Sequence, residues 1–181
     1  MRNKHSFRVA LGGVISALSL VILMMTGVIP FATYSLPCLA GLLLVVVVVE
    51  CGAKWAWVSF AATAILSMMI TPDREAAIMY TALFGYYPMV KQQIEKRFFG
   101  VKEWACKLLL FNISVVIAYF IAINLLGMTY LLEDLGDSVA LGLLALLGLG
   151  NIVFVLYDVA MTRMLSAYIF VFRKKLFKRF K

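Results

Sequence analysis

The sequence predicts an all-α integral membrane protein: a single domain over 1–181 with six transmembrane helices and both termini cytoplasmic. Three observations carry this expectation. Of 181 residues, 64% are hydrophobic, against roughly 45–50% in soluble domains. Only 14% are charged, and they gather in clusters separated by apolar runs long enough to cross a bilayer. Finally, when the runs are threaded alternately through a membrane, every one of the 17 Lys and Arg residues except Arg74 falls on the same side. A water-soluble fold of this size could not bury so much apolar surface.

The spans follow in order. The first covers 9–29 and stops at Pro30. It is too long for the apolar region of a signal peptide and no A-x-A site follows it, so we expect it to be retained. The second covers 36–51 through the nearly pure "LLLVVVVV", and the third 55–70; only "ECGAKWAW" separates them. The fourth is expected over 72–90, with Pro88 removing the hydrogen bond to residue 84 and bending the helix. The fifth is expected over 105–126 and the sixth over 139–161. A basic, aromatic tail at 162–181 reads as a lipid anchor or as a docking segment for a cytoplasmic partner.

Orientation follows from the cations. Lys and Arg concentrate on the cytoplasmic side of membrane proteins, which places 1–8, 52–54, 91–104 and the tail inside. The outer loops hold Arg74 and the acids Glu133, Asp134 and Asp137. The net charge of +8 therefore fits anionic headgroups, and no nucleic-acid partner is expected.

Little in the chain supports catalysis. The lone histidine, His5, lies in the leader, and Cys38, Cys51 and Cys106 are isolated. No H-E-x-x-H, paired carboxylates on a span or Gly-rich phosphate loop occurs. We expect no catalytic residues, no metal, no cofactor and no enzyme. Two acidic residues near the inner boundary, Asp158 and Glu50, are candidates for a structural or a coupling role, since charges at membrane depth are functional by default. Asn112 and Asn151 are expected to bond helices together.

"RVALGGVISALS" puts Ala10, Gly13 and Ala17 on one stripe of the first helix, with Gly12 and Ser16 beside it. Small residues at this spacing let a second helix approach closely. The stripe either packs within the chain or docks another membrane protein. At the outer surface, "TPDREAA" reads as a helix start, with Thr71 as N-cap, Pro72 at the first helical position, and Asp73 and Glu75 favouring the helix dipole. Arg74 would then be a flanking charge, solvated or paired with Glu133, Asp134 or Asp137.

Six spans, both termini inside, the small-residue face and the absent nucleotide site together resemble the substrate-binding S components of energy-coupling factor (ECF) transporters, and Gly13-x-x-x-Ala17 corresponds to that family's Ala-x-x-x-Ala face. The opening "LGGVISALSLVILMMTGVIPF" and "PDREAA…FGYYP" also look like those of small bacterial membrane proteins associated with the group. The resemblance implies a multi-pass protein of the bacterial cell membrane that captures a vitamin or other micronutrient. It also implies partners: a T-type transmembrane subunit docked on Ala10, Gly13 and Ala17, and separate cytoplasmic ATPases. The implied cavity opens outward, which makes Tyr34, Arg74, Tyr80, Thr81, Phe84, Tyr119, Asn124 and Tyr130 candidate substrate contacts. There Arg74 would read a substrate carboxylate or phosphate, or latch a lid. The alternative is a non-transporting scaffold of the cell envelope or cell-shape machinery.

The layout is tested by topology reporters. An enzyme that is active only outside the cytosol should work when fused after residue 74 or within 127–138, and be silent when fused after residue 97. The opposite pattern would invert the assignment.

Overall fold

The computed structural model describes residues 2–128, 130 and 139–173, and all elements among them are helical. Helix α1 is Arg2–Met24, and 3-10 turns at Met25–Gly27 and Pro30–Ala32 lead into α2, Ser35–Cys51. Then come α3, Ala53–Ile70, and the short α4, Arg74–Met79. A π-helical segment, Tyr80–Phe84, separates α4 from α5, Tyr87–Arg97. Helix α6 is Val101–Asn124, and α7, Val139–Ala167, continues as a π-helix over Tyr168–Arg173.

Among the described residues, four helical stretches are long and apolar enough to cross a membrane: His5–Gly27, Ala53–Ile70, Val101–Asn124 and Leu141–Phe170. Helix α2 is apolar but has 17 residues, a rise of roughly 26 Å. Hydrophobic all round, it sits between two packed clusters. Leu44, Val47 and Val48 join Ile15 and Leu23 of α1 and Ala56 and Ala64 of α3, while Val45 joins α4, α6 and α7. Such burial on opposite sides accounts for the unbroken valine run.

The turn between the second and third passes narrows to Gly52. Its φ of +87° closes both helix ends, and its N–H reaches the carbonyls of Val47 at 3.2 Å and Val48 at 3.1 Å. Only glycine adopts this conformation freely. Helix α2 therefore ends at Cys51 and α3 begins at Ala53.

The expected fourth span is not one helix. Pro88 has no N–H to offer the Phe84 carbonyl, the preceding turn widens, and Gly85 donates to the Tyr80 carbonyl at 2.7 Å. Glycines admit neighbours on either side of this break. A Cβ on Gly85 would sit 2.7 Å from the Phe60 ring, and one on Gly41 would collide with the Phe84 carbonyl. Beyond the break, α5 extends to Arg97, which places Lys96 and Arg97 in its last turn, favourably against the helix dipole.

The start of α4 also differs from expectation. Asp73, not Thr71, is the N-cap: its carboxylate accepts the Ala76 N–H at 3.1 Å, and Arg74 becomes the first helical residue. Thr71 instead ends α3, with its N–H on the Ser67 carbonyl at 2.9 Å. A carboxylate is the stronger acceptor for a helix N-terminus.

Contacts between helices define two ends of the bundle. At one, His5 meets Trp55, Tyr168 meets Glu50 and Lys107 meets Glu95. At the other, Gly27 lies against Pro72 and Tyr34 against Tyr119. We call these the basic end and the far end.

Substitution Gly41→Ala should cost about 1–3 kcal/mol through overpacking, read as a lowered thermal midpoint in detergent. The control Gly13→Ala, with nothing within 4 Å of the added carbon, should leave the isolated chain's midpoint unchanged.

Candidate functional site

The far half of the bundle contains a cleft of about 540 Å³. Its origin lies in α7. From Leu141 to Val153 no α7 side chain is fully buried, whereas Phe154, Tyr157, Asp158 and Met161 all are. The helix thus buries side chains fully only from Phe154 onward, while before it Leu146, Leu147 and Gly150 pack only in part. The deep end of the cleft is aromatic: Phe111 stacks on Phe154 with ring centroids 4.7 Å apart, and Tyr157 meets Phe84 edge-on at 5.2 Å. Leu83, Val115, Leu146, Leu149 and Val153 line its middle. Tyr34, Ser35, Cys38 and Tyr119 stand at the far end. Among the described residues no charged side chain lines the cleft.

At that far end three groups form a chain. The Tyr34 hydroxyl donates to Glu75 and lies 3.3 Å from the Tyr119 hydroxyl. Burial first, and then the bond to Glu75, hold the Tyr34 phenol well above its ordinary pKa, so it stays protonated as a donor to the carboxylate. Glu75 itself borders a small adjoining hollow with Ile78, Ala118 and Ala122, and Met79 and Tyr119 border both spaces.

The sequence candidates distribute as follows. Tyr34, Phe84 and Tyr119 line the cleft. Tyr80 is fully buried against Phe60 on the opposite side of the break. Thr81 turns back to the Ala77 carbonyl at 2.9 Å, and Asn124, exposed, to the Phe120 carbonyl at 3.0 Å. Tyr130 is exposed away from the cleft lining. Arg74 is exposed on the first turn of α4, forms no ion pair among the described residues and does not line the cleft. Glu133, Asp134 and Asp137, its expected partners, lie outside the described residues, as does 174–181 of the basic tail. Phe111, Phe154 and Tyr157, which sequence reasoning omitted, form the deep wall; spacing alone gives them no more weight than any other apolar residue on α6 and α7.

The basic end holds an ion network. Asp158 is buried and accepts from Tyr87 at 2.5 Å, Lys91 at 2.5 Å and Lys107 at 3.1 Å. Glu95 bridges Lys91 at 2.6 Å and Lys107 at 2.8 Å, and Glu103 adds a third carboxylate to Lys107 at 2.7 Å. Lys107 also lies over the Trp104 ring, 5.2 Å from its centroid. Lys91 and Lys107 count as simple flanking cations in the sequence; here both are buried and tie α5, α6 and α7 together. Their signal was the i,i+4 spacing of Lys91 with Glu95 and of Glu103 with Lys107. Midway along the same seam, Asn112 and Asn151 exchange amide hydrogen bonds of 3.2 and 3.0 Å. Glu50, the other acidic candidate, accepts from Tyr168 at 3.3 Å.

The small residues of α1 divide into two faces. Gly12, Ser16 and Ser19 turn inward: Ser16 donates to the Ser59 carbonyl, Ser19 to the Ala40 carbonyl, and a Cβ on Gly12 would meet Ser59 at 2.8 Å. Ala10, Gly13 and Ala17 are exposed. Packing within the chain thus explains the first set and leaves the second bare. No family model, curated protein or solved structure matches the chain.

Removing Asp158 while keeping its partners leaves two buried ammoniums short of a counter-ion. Asp158→Ala should cost roughly 3–5 kcal/mol, measured by chemical denaturation in detergent. Adding Lys107→Met should recover part of that loss. An Asp158→Ala variant as stable as the parent would mean that the network contributes nothing.

Proposed function

We propose that the chain is the membrane-embedded substrate-binding subunit of an ECF-type importer for a vitamin or another small micronutrient. In this reading it passes six times through a bacterial cell membrane with both termini cytoplasmic. The observation that carries the reading is the cleft of about 540 Å³ in the far half, within the range of small-molecule sites, which are mostly apolar with a few placed polar groups. A protein that only tethers others has no use for such a space.

The bare face of α1 supports the partner side of the proposal. Helix association in lipid depends on close van der Waals contact, and Ala10, Gly13 and Ala17 expose a shallow strip that no other part of the described chain covers. A T-type transmembrane subunit would dock there and transmit work from cytoplasmic ATPases, since this chain carries no nucleotide motif. The ion network around Asp158 lies at the end nearest those ATPases in this orientation, so movement of α7 would be felt at the cleft. The scaffold alternative shares the α1 face but assigns the cleft no role.

Purification in native lipid followed by mass spectrometry tests the proposal. The expected result is a retained small molecule together with a second membrane protein and ATPase subunits. Recovery with cell-shape proteins alone would overturn it. The pair Gly13→Leu and Ala17→Leu should abolish subunit recovery while the chain still inserts and keeps its thermal midpoint. Undiminished recovery would remove the docking role from α1.

A further inference from the structure

The chemistry at the cleft's far end narrows the ligand class, an inference that rests on the cleft being the substrate site. Tyr34 has committed its only proton to Glu75. A phenol has one O–H and two lone pairs, so what Tyr34 can still offer a ligand is an acceptor. The carboxylate behind it polarises that oxygen and strengthens it. Glu75 need not be vacant for this, because an ionised carboxylate accepts at about four positions.

The remaining wall offers no counter-charge for an anion. Among the described residues the lining holds no Lys, Arg or His, and Arg74, the nearest cation in sequence, is exposed outside it. A carboxylate or phosphate drawn into this space would lose its hydration with neutral hydroxyls but no described cation to replace it, at a cost of several kcal/mol, and would approach the Tyr34–Glu75 pair beside the cleft. A cation or neutral donor meets the opposite situation. It would find an acidic rim and, further in, the faces of Tyr34, Phe84, Phe111, Tyr119 and Phe154, which favour both flat apolar bodies and positive charge.

We propose that the cleft takes a mostly apolar small molecule bearing a hydrogen-bond donor at one end, a protonated amine above all, with the donor on Tyr34 at the Glu75 rim and the apolar body against Phe111 and Phe154. Charge complementarity selects this occupant over an acidic nutrient, and a lipid acyl chain would leave the Tyr34–Glu75 pair without a function. Arg74 has no part in recognition.

The test uses the full chain in nanodiscs of zwitterionic lipid, with empty nanodiscs as the partitioning control. Binding of 2-naphthylmethylamine and of 2-naphthoate is measured by fluorescence. The amine should bind at least about tenfold more tightly than the acid, and Glu75→Gln should shrink the preference to about threefold or less. Arg74→Ala should change neither affinity. Val153→Trp, chosen to fill the cleft, should abolish binding of both probes while its thermal midpoint confirms folding. Equal or tighter binding of the naphthoate, still abolished by Val153→Trp, overturns the donor class and leaves the importer reading intact. Probe binding that a folded Val153→Trp variant does not affect removes the cleft as the site, and with it both readings. A tightly retained phospholipid that excludes both probes overturns the small-amine proposal.

Discussion

Asp158 pins α7, and the shape of the far half follows from that. A carboxylate this deep is tolerable only when its lone pairs are taken, and Tyr87, Lys91 and Lys107 take them from two other helices. Glu95 and Glu103 complete the shells of the two lysines. Such a network adds little net stability over a well-packed apolar core, yet breaking it is costly, so it specifies which helices meet at this end. The Asn112–Asn151 clasp fixes the same seam further along. With α7 held at its second half and at mid-length, its first half need not pack, and the cleft is the space left over.

The break in the fourth pass serves the same geometry from the other side. A straight helix over 72–90 would present regular ridges to α2 and α6. Pro88 interrupts it, the widened turn at Tyr80–Phe84 shifts the register, and the Phe84 ring reaches the cleft while Tyr80 is directed into the α1–α3 cluster. Two glycines accommodate the displaced backbone: Gly85 under Phe60, and Gly41 against the Phe84 carbonyl. Unsatisfied backbone is expensive in a membrane, so an irregular segment of this kind is tolerated where protein surrounds it, as α2 and α6 do here.

The division of polar groups between the two ends has a functional logic. At the basic end Asp158, Lys91 and Lys107 are buried and paired, with Glu95 and Glu103 partly exposed at the edge of the network. The far end keeps its carboxylate and phenols next to an apolar space, so its polarity is directed at whatever enters. A single chain thus combines a half held by ion pairs and a half with an apolar cleft beside a hydrogen-bonded phenol–carboxylate pair. The exposed strip Ala10, Gly13, Ala17 lies outside both hydrophobic clusters and is available to a neighbour without disturbing either.

Much of this was legible in the sequence, and the reasons differ by element. Apolar runs of spanning length and the one-sided cations predict the helices and their order, because bilayer thickness and charge placement act locally along the chain. The Gly12 and Ala10 stripes were both visible, but which one faces inward depends on where Ser59 and Ala40 arrive from other helices. Asp158 stands out as an acid within an apolar run, near its expected inner boundary; Lys91 and Lys107 do not, because lysines at the ends of apolar runs usually reach water and nothing local says otherwise. Tyr34, Phe84 and Tyr119 are legible as aromatic residues in or near the expected outer half. Phe111, Phe154 and Tyr157 share their composition with ordinary core, and only the standing-off of α7 gives them a cleft to line. By itself the sequence determined the helical class, the order of the apolar helices and the unequal distribution of charge. The tertiary structure alone decided which polar groups meet and where a void remains, since ion pairing and packing join residues on different helices, up to 71 positions apart for Tyr87 and Asp158, and no local pattern encodes that distance.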